Sequence, residues 1–245
     1  MRRGRSATAL AVAAIALAFA TPARSEPIEL GHIPECVELL PAAIAVPPGE
    51  PATLRVRVLL DGVSQAQGEE VFQLVQRSYA PLNVTVVPAF EAVSFSGDDA
   101  EALNAQAKAR FGGVRPGDAD VVYTLTSKNI VAAGSDAVAG LADCIGGVAF
   151  PARAFAVGEV LDPDRTQLGE LLMADHLTAK VAAHEIGHLL GAQHHYANCI
   201  EGLLSELGSE LSPCTLMFNA VDLTSFPFSI VNSLVVRGHL EAYAG

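Results

Sequence analysis

A chain of 245 residues with 27 acidic against 15 basic side chains carries a net charge of −12, which excludes nucleic-acid binding through bulk positive charge and disfavours docking on anionic membranes. Hydrophobic residues make up 51% and tryptophan is absent, so the chain has enough apolar material for one large or two small domains around a core of Val, Leu, Ile and Ala.

Arg2, Arg3 and Arg5 precede an apolar run from Ala7 to Ala20 and then Pro22-Ala23-Arg24-Ser25. This is the charged, apolar and small-residue order of a secretory signal, and 14 apolar residues are too few to span a bilayer. Residues 1–25 are therefore expected to be a signal peptide cut after Ser25, with a cut after Ala20 or an uncleaved anchor as alternatives. No cysteine lies near it for a lipid anchor. Its removal takes away four arginines and no acid, which moves the net charge from −12 to −16. The expected destination is secreted or periplasmic, off the membrane after cleavage, and the expected state is a monomer.

Residues 26–53, with Pro27, Pro34, Pro41, Pro47, Pro48 and Pro51, read as an N-terminal arm or short propeptide, and 54–245 as one domain. Thr53–Leu60 alternates at period two and predicts a first strand. Glu69–Tyr79 predicts a helix with Val71, Phe72, Leu74 and Val75 inward. Asn83–Phe90 predicts a second strand, which discounts Asn83-Val84-Thr85 as a glycosylation site. Asp98 with Glu101 reads as a capping box for a helix over Ala100–Phe111, and no calcium site is expected at Asp98-Asp99. Asp120–Leu125, Gly140–Gly147 and Arg153–Val160 predict three more strands, and Phe226–Tyr243 a C-terminal helix with Ile230, Val231, Leu234, Val235 and Leu240 as its apolar set. The alternation of strands and helices predicts an α/β (α+β) fold with a mixed sheet.

His184-Glu185-Ile186-Gly187-His188-Leu189-Leu190-Gly191-Ala192-Gln193-His194 falls on a helix expected over Asp175–Leu190. Residues four apart share a helix face with Cβ atoms about 5–6 Å apart, so His184 and His188 can meet one zinc ion. Gly191 can turn the chain back and bring His194 as a third ligand. Three protein ligands leave a position for water, and Glu185 stands beside it as a general base. H-E-x-x-H arises in about 1% of random chains of this composition, whereas adding the Gly and third His lowers that to about 3 in 100,000.

These eleven residues resemble the signature of the metzincin zinc peptidases, closest to the reprolysin (adamalysin-like) branch. The resemblance implies a secreted zinc metalloendopeptidase acting on a protein or peptide substrate, with one catalytic zinc and a twisted mixed sheet with an antiparallel edge strand. It maps His184, His188 and His194 as metal ligands and Glu185 as catalytic base. In Pro213-Cys214-Thr215-Leu216-Met217-Phe218 it makes Met217 the methionine turn. Gly140, Leu141, Ala142 and Asp143 resemble the edge that pairs with extended substrate; the bland alternative is a glycine-shaped loop. The sequence departs from reprolysins at His195, where Asp is usual, and Asn219 leaves no tyrosine to act as an extra ligand.

Four cysteines in an exported chain allow three disulfide connectivities. Cys199 and Cys214 bracket the loop before Met217 and are expected to pair, leaving Cys36 with Cys144. Other readings remain: Cys36 as an inhibitory thiolate like those of related peptidases, Cys199 as a fourth ligand of a closed zinc site, or Glu206 or Glu210 replacing His194 in a thermolysin-like site. A non-catalytic zinc-stabilised binding module is the alternative outside the enzymes.

Overall fold

The computed structural model describes residues 36, 43–132, 138–161, 174–194, 215–217 and 227–245. Strand β1 spans Ala52–Asp61, helix α1 Gln65–Tyr79, β2 Val84–Val93 and α2 Ala100–Arg110. Strand β3 spans Val121–Thr126, β4 Gly140–Ala142 and β5 Phe155–Glu159, followed by α3, Ala174–Leu189, and α4, Ile230–Tyr243. The strands form one sheet in the order β2-β1-β3-β5-β4. All neighbours are parallel except β4, which runs antiparallel to β5.

Sheet position explains the strand patterns. Every residue of β3 and β5 is buried, as expected of parallel strands covered on both faces. On one face Val56, Val58 and Leu60 join Val71, Phe72 and Val75 of α1 and Ala182 and Ile186 of α3 in the main core. On the other, Leu59, Val122 and Phe155 pack with Ala107 of α2. Helix α3 thus lies against β4 and β5, next to the antiparallel edge.

The helix starts differ from the sequence reading by the choice of cap. Helix α1 begins four residues before Glu69, because Ser64 accepts a hydrogen bond from Gln67 N (3.2 Å). Helix α2 is capped by Asp99, which accepts from Ala102 N (2.7 Å), and not by Asp98. The Asp98 backbone carbonyl instead accepts from Val131 N (3.0 Å). Asn83 precedes β2 in a left-handed turn (φ +55°), and its side chain donates to Gly49 O (3.0 Å). The predicted Gly140–Gly147 strand stops at Ala142. A disulfide from Cys144 to Cys36 and a left-handed Gly146 (φ +81°) turn the chain there. Helix α4 begins at Ile230, capped by Ser229; Ile230 and Val231 are exposed, while the polar Asn232, Ser233, Arg237 and His239 are buried.

That reversal has a partner. Residues of the predicted arm lie along α4, with Ala45 N donating to Leu234 O (3.0 Å). The Arg237 guanidinium donates to Leu82 O (3.1 Å) and to Glu50 O, and pairs with Glu241 (2.6 Å). Its charge is thus met by carbonyls inside the protein, as a buried cation requires. No helix among the described residues is long and apolar enough to cross a membrane.

Asp120, at the entrance to β3, fastens the opposite end of α4. Its carboxylate accepts from the Arg55 side chain (2.7 Å), Arg55 N (2.7 Å) and Gly245 N (3.1 Å). Burial pushes this carboxyl up, but the hydrogen bonds from Arg55 and Gly245 outweigh it and hold the pKa below the usual carboxylate value. A depressed folded pKa gives stability that is present above the unfolded value of about 3.9 and is lost as pH falls through the folded value. Asp120→Asn is expected to cost about 2 kcal/mol in denaturant unfolding at neutral pH. The difference from the parent should shrink in parallel measurements taken down to about pH 3.

Candidate active site

Helix α3 carries His184, Glu185 and His188 on its inner side, at 1%, 0% and 0% exposure. Its end is a hydrogen-bonded reversal: Gly191 N donates to His188 O (2.8 Å) and Ala192 N reaches back to Gly187 O (2.9 Å). This pair of bonds is the Schellman closure, and it needs a left-handed residue, which Gly191 supplies at φ +88°. The reversal brings His194 back over the helix.

The three imidazoles then converge. Nε2 of His184 lies 2.9 Å from Nε2 of His188 and 3.1 Å from that of His194; His188 and His194 are 3.0 Å apart. The far side of two rings is fixed by carbonyls, which only accept hydrogen bonds. His184 Nδ1–H therefore donates to Leu216 O and His188 Nδ1–H to Ala192 O, both at 2.8 Å. Each proton is on Nδ1, and each Nε2 presents a lone pair to the centre. Burial, reinforced by the neighbouring imidazoles, lowers the pKa of His184 well below its ordinary value and that of His188 to about 3, so these rings are neutral.

Met217 lies underneath. It is fully buried, and its sulfur would be 3.1 Å from a Cβ placed on Gly187, so the glycine lets this segment sit tight against α3. The adjoining Leu216 carbonyl is what holds His184, and Leu216 N is fixed by Pro227 O (2.9 Å). Sequence reasoning passed over the Leu216 and Ala192 carbonyls, because a backbone acceptor has no residue signature; their positions beside Met217 and Gly191 were the available signal.

The Glu185 side chain lies against the β4 edge of the sheet. A Cβ on Gly140 would stand 2.7 Å from Glu185 Cγ and 2.8 Å from Oε1, so β4 can pass only with glycine there. Burial raises the Glu185 carboxyl to about 8, with the Ala142 backbone pulling the other way. A cation beside it would draw it back toward the ionised form. The Asp143 carboxylate, read as part of the edge, is tied to Lys108 (2.6 Å) and Arg153 (2.9 Å), bracing the end of β4. The Cys36–Cys144 disulfide fixes the next residue, and Gly146 N donates to His188 O (2.8 Å), so the rim is stitched to the histidine helix. Cys199, Cys214, His195, Glu206, Glu210, Asn219 and the proposed signal lie outside the described residues.

Residues 72–195 match the profile of the reprolysin-like metallopeptidase family M12B, just over half of the chain and the whole histidine motif. Among solved structures, archaemetzincin from Methanopyrus kandleri shares 24% identity, with 80% of this chain and 99% of that chain covered and a TM-score of 0.51. Metalloproteinase-II from Bacteroides fragilis shares 16% identity over 91% of this chain and 60% of its own, with a TM-score of 0.55. These two likenesses concern the fold. No curated protein sequence matches the chain. The chain belongs to the M12B reprolysin-like metallopeptidases and is a zinc metalloprotease, a hydrolase.

The turn at Gly191 gives a direct check. Gly191→Ala forces a left-handed alanine and puts its Cβ 2.7 Å from the His239 ring. Thermal and urea unfolding should show a loss of about 1–2 kcal/mol. A loss of only a few tenths would mean that the reversal tolerates a side chain.

Proposed function

We propose that the chain is an exported zinc-dependent endopeptidase in which His184, His188 and His194 hold one zinc ion and Glu185 is the general base. The observation that carries this is the 2.9 Å approach of two Nε2 atoms whose protons are both on Nδ1. Two lone pairs at that distance repel unless a proton or a cation lies between them, and burial disfavours the extra proton. Nitrogens about 2.0–2.1 Å from a tetrahedral zinc are roughly 3.3–3.4 Å apart, close to the spacings here. Three imidazoles are also the donor set of a catalytic rather than a closed site.

When bound, zinc supplies Lewis acidity, lowering the pKa of water toward about 7 and polarising a carbonyl. The protein's own groups do the rest. Leu216 O and Ala192 O keep His184 and His188 in the metal-binding tautomer. Glu185 takes a proton on its carboxylate as water attacks the peptide carbonyl, and returns it to the leaving amine. Glu185 is wholly buried, so the proton stays between the base and the reacting atoms.

The β4 edge supports a peptide substrate. Asp143 N donates to Phe155 O and Glu159 N to Ala139 O, so these residues turn their groups toward β5. Antiparallel alternation then puts the backbone groups of Gly140 and Ala142 on the outer edge beside Glu185, where an extended peptide can add a strand. The Cys36–Cys144 disulfide supports an oxidising destination and hence a cleaved signal over 1–25. With Cys36 in that bond, its thiolate is not available as an inhibitory ligand.

Glu185→Gln is expected to keep one zinc per chain and the parental fold while peptide hydrolysis falls by about 10²–10⁴. Undiminished turnover of a quenched peptide library would remove Glu185 from the mechanism. His194→Ala should lose zinc affinity by metal analysis, whereas Glu206→Ala and Glu210→Ala should retain it. The reverse pattern would make a glutamate the third ligand.

A further inference from the structure

Gly140 and Gly158 face each other across the β4–β5 pair. Both open toward α3: a Cβ at either position would come within 2.8 or 3.1 Å of Val181 Cγ1. Two polar groups flank the space that the missing side chains leave. Glu185 Oε1 is 2.8 Å from the Cβ position of Gly140, and Tyr123 Oη is 2.0 Å from that of Gly158. Gly158 is required so that the Tyr123 ring can cross beneath β5 and deliver its hydroxyl here.

Tyr123 and Glu185 are each at 0% exposure; Tyr123 Oη has no hydrogen-bond partner among the described residues, and the Glu185 oxygens have none there beyond the Ala142 backbone. A buried hydroxyl left unpaired is destabilising, so a partner is expected for it. The carboxylate is an acceptor and the phenol a donor, and they border the same glycine-lined space. Both groups border one antiparallel pair, where a buried water between a donor and an acceptor would satisfy both. The charge of Glu185 also acts on Tyr123, whose pKa is raised first by burial and then by Glu185 and Glu159.

We propose that Tyr123 is a positioning residue for Glu185, donating a hydrogen bond through one buried water that orients the carboxylate toward the reacting water. The ring is locked for this role by its edge-on contact with Phe72 (centroids 6.0 Å apart). This rests on the assignment of Glu185 as general base, so the tests separate the two. In zinc-loaded protein, Tyr123→Phe should lower kcat about tenfold with KM and zinc content unchanged. 3-Fluorotyrosine at 123, which retains the hydroxyl, should restore kcat. Parental kcat in Tyr123→Phe, or an equal loss with fluorotyrosine, would overturn the proposal. In metal-free protein the unfolding constants of Tyr123→Phe, Glu185→Gln and the double variant should be non-additive. Additivity would overturn the link between the two residues even if the chain hydrolysed no peptide, whereas an inactive parent with a coupled pair would overturn only the peptidase reading.

Discussion

Two imidazole nitrogens 2.9 Å apart, both without a proton on the facing side, form an arrangement that a folded chain does not hold for its own sake. The backbone creates it by occupying the other nitrogen of each ring. Leu216 O and Ala192 O lie in segments far apart in sequence, each fixed by its own backbone bonds. The left-handed turn at Gly191, the buried methionine segment and the glycine that lets it approach α3 all serve to place these two acceptors. The affinity of the centre for a cation is thus set partly by main-chain geometry, which side-chain substitutions reach only indirectly.

Glu185 shows the electrostatic side of the same arrangement. A carboxylate at zero exposure prefers to be protonated, which is why burial, opposed only by the Ala142 backbone, takes it to about 8. A carboxyl in that state would accept no proton near neutrality until positive charge stood next to it. A cation held by the histidine cluster would favour the ionised carboxylate. The neighbouring β4 strand contributes shape, since Gly140 leaves room for the carboxylate and an outer backbone edge lies alongside.

The local features were legible in the sequence and the non-local ones were not. The i, i+4 histidines, Gly191 as a helix terminator and the buried set Val71, Phe72, Leu74 and Val75 follow from helix periodicity, which needs no partner. The strand order, the Gly140–Gly158 pairing and the carbonyls behind the imidazoles depend on contacts between distant segments. Cap positions slipped at Asp98, because two adjacent aspartates offer the same chemistry and the Val131 bridge decides between them. Helix α4 misled most. Its exposed Ile230 and Val231 look like core, and its buried Arg237 looks like surface until the carbonyls of Glu50 and Leu82 are found around the guanidinium.

The glycine at 158 has a further meaning for inheritance. Its hydrogen occupies the place that any other residue would fill with carbon. The atom that forbids that carbon is the phenolic oxygen of Tyr123, on the adjoining strand and 35 residues earlier in the chain. Neither position is free to drift alone. A lineage that gains a side chain at 158 must first shorten or redirect residue 123, and one that has lost the phenol has no steric reason to keep the glycine. The two sites form a correlated pair, and the order of such changes is set by geometry: the large residue must yield before the small one can grow.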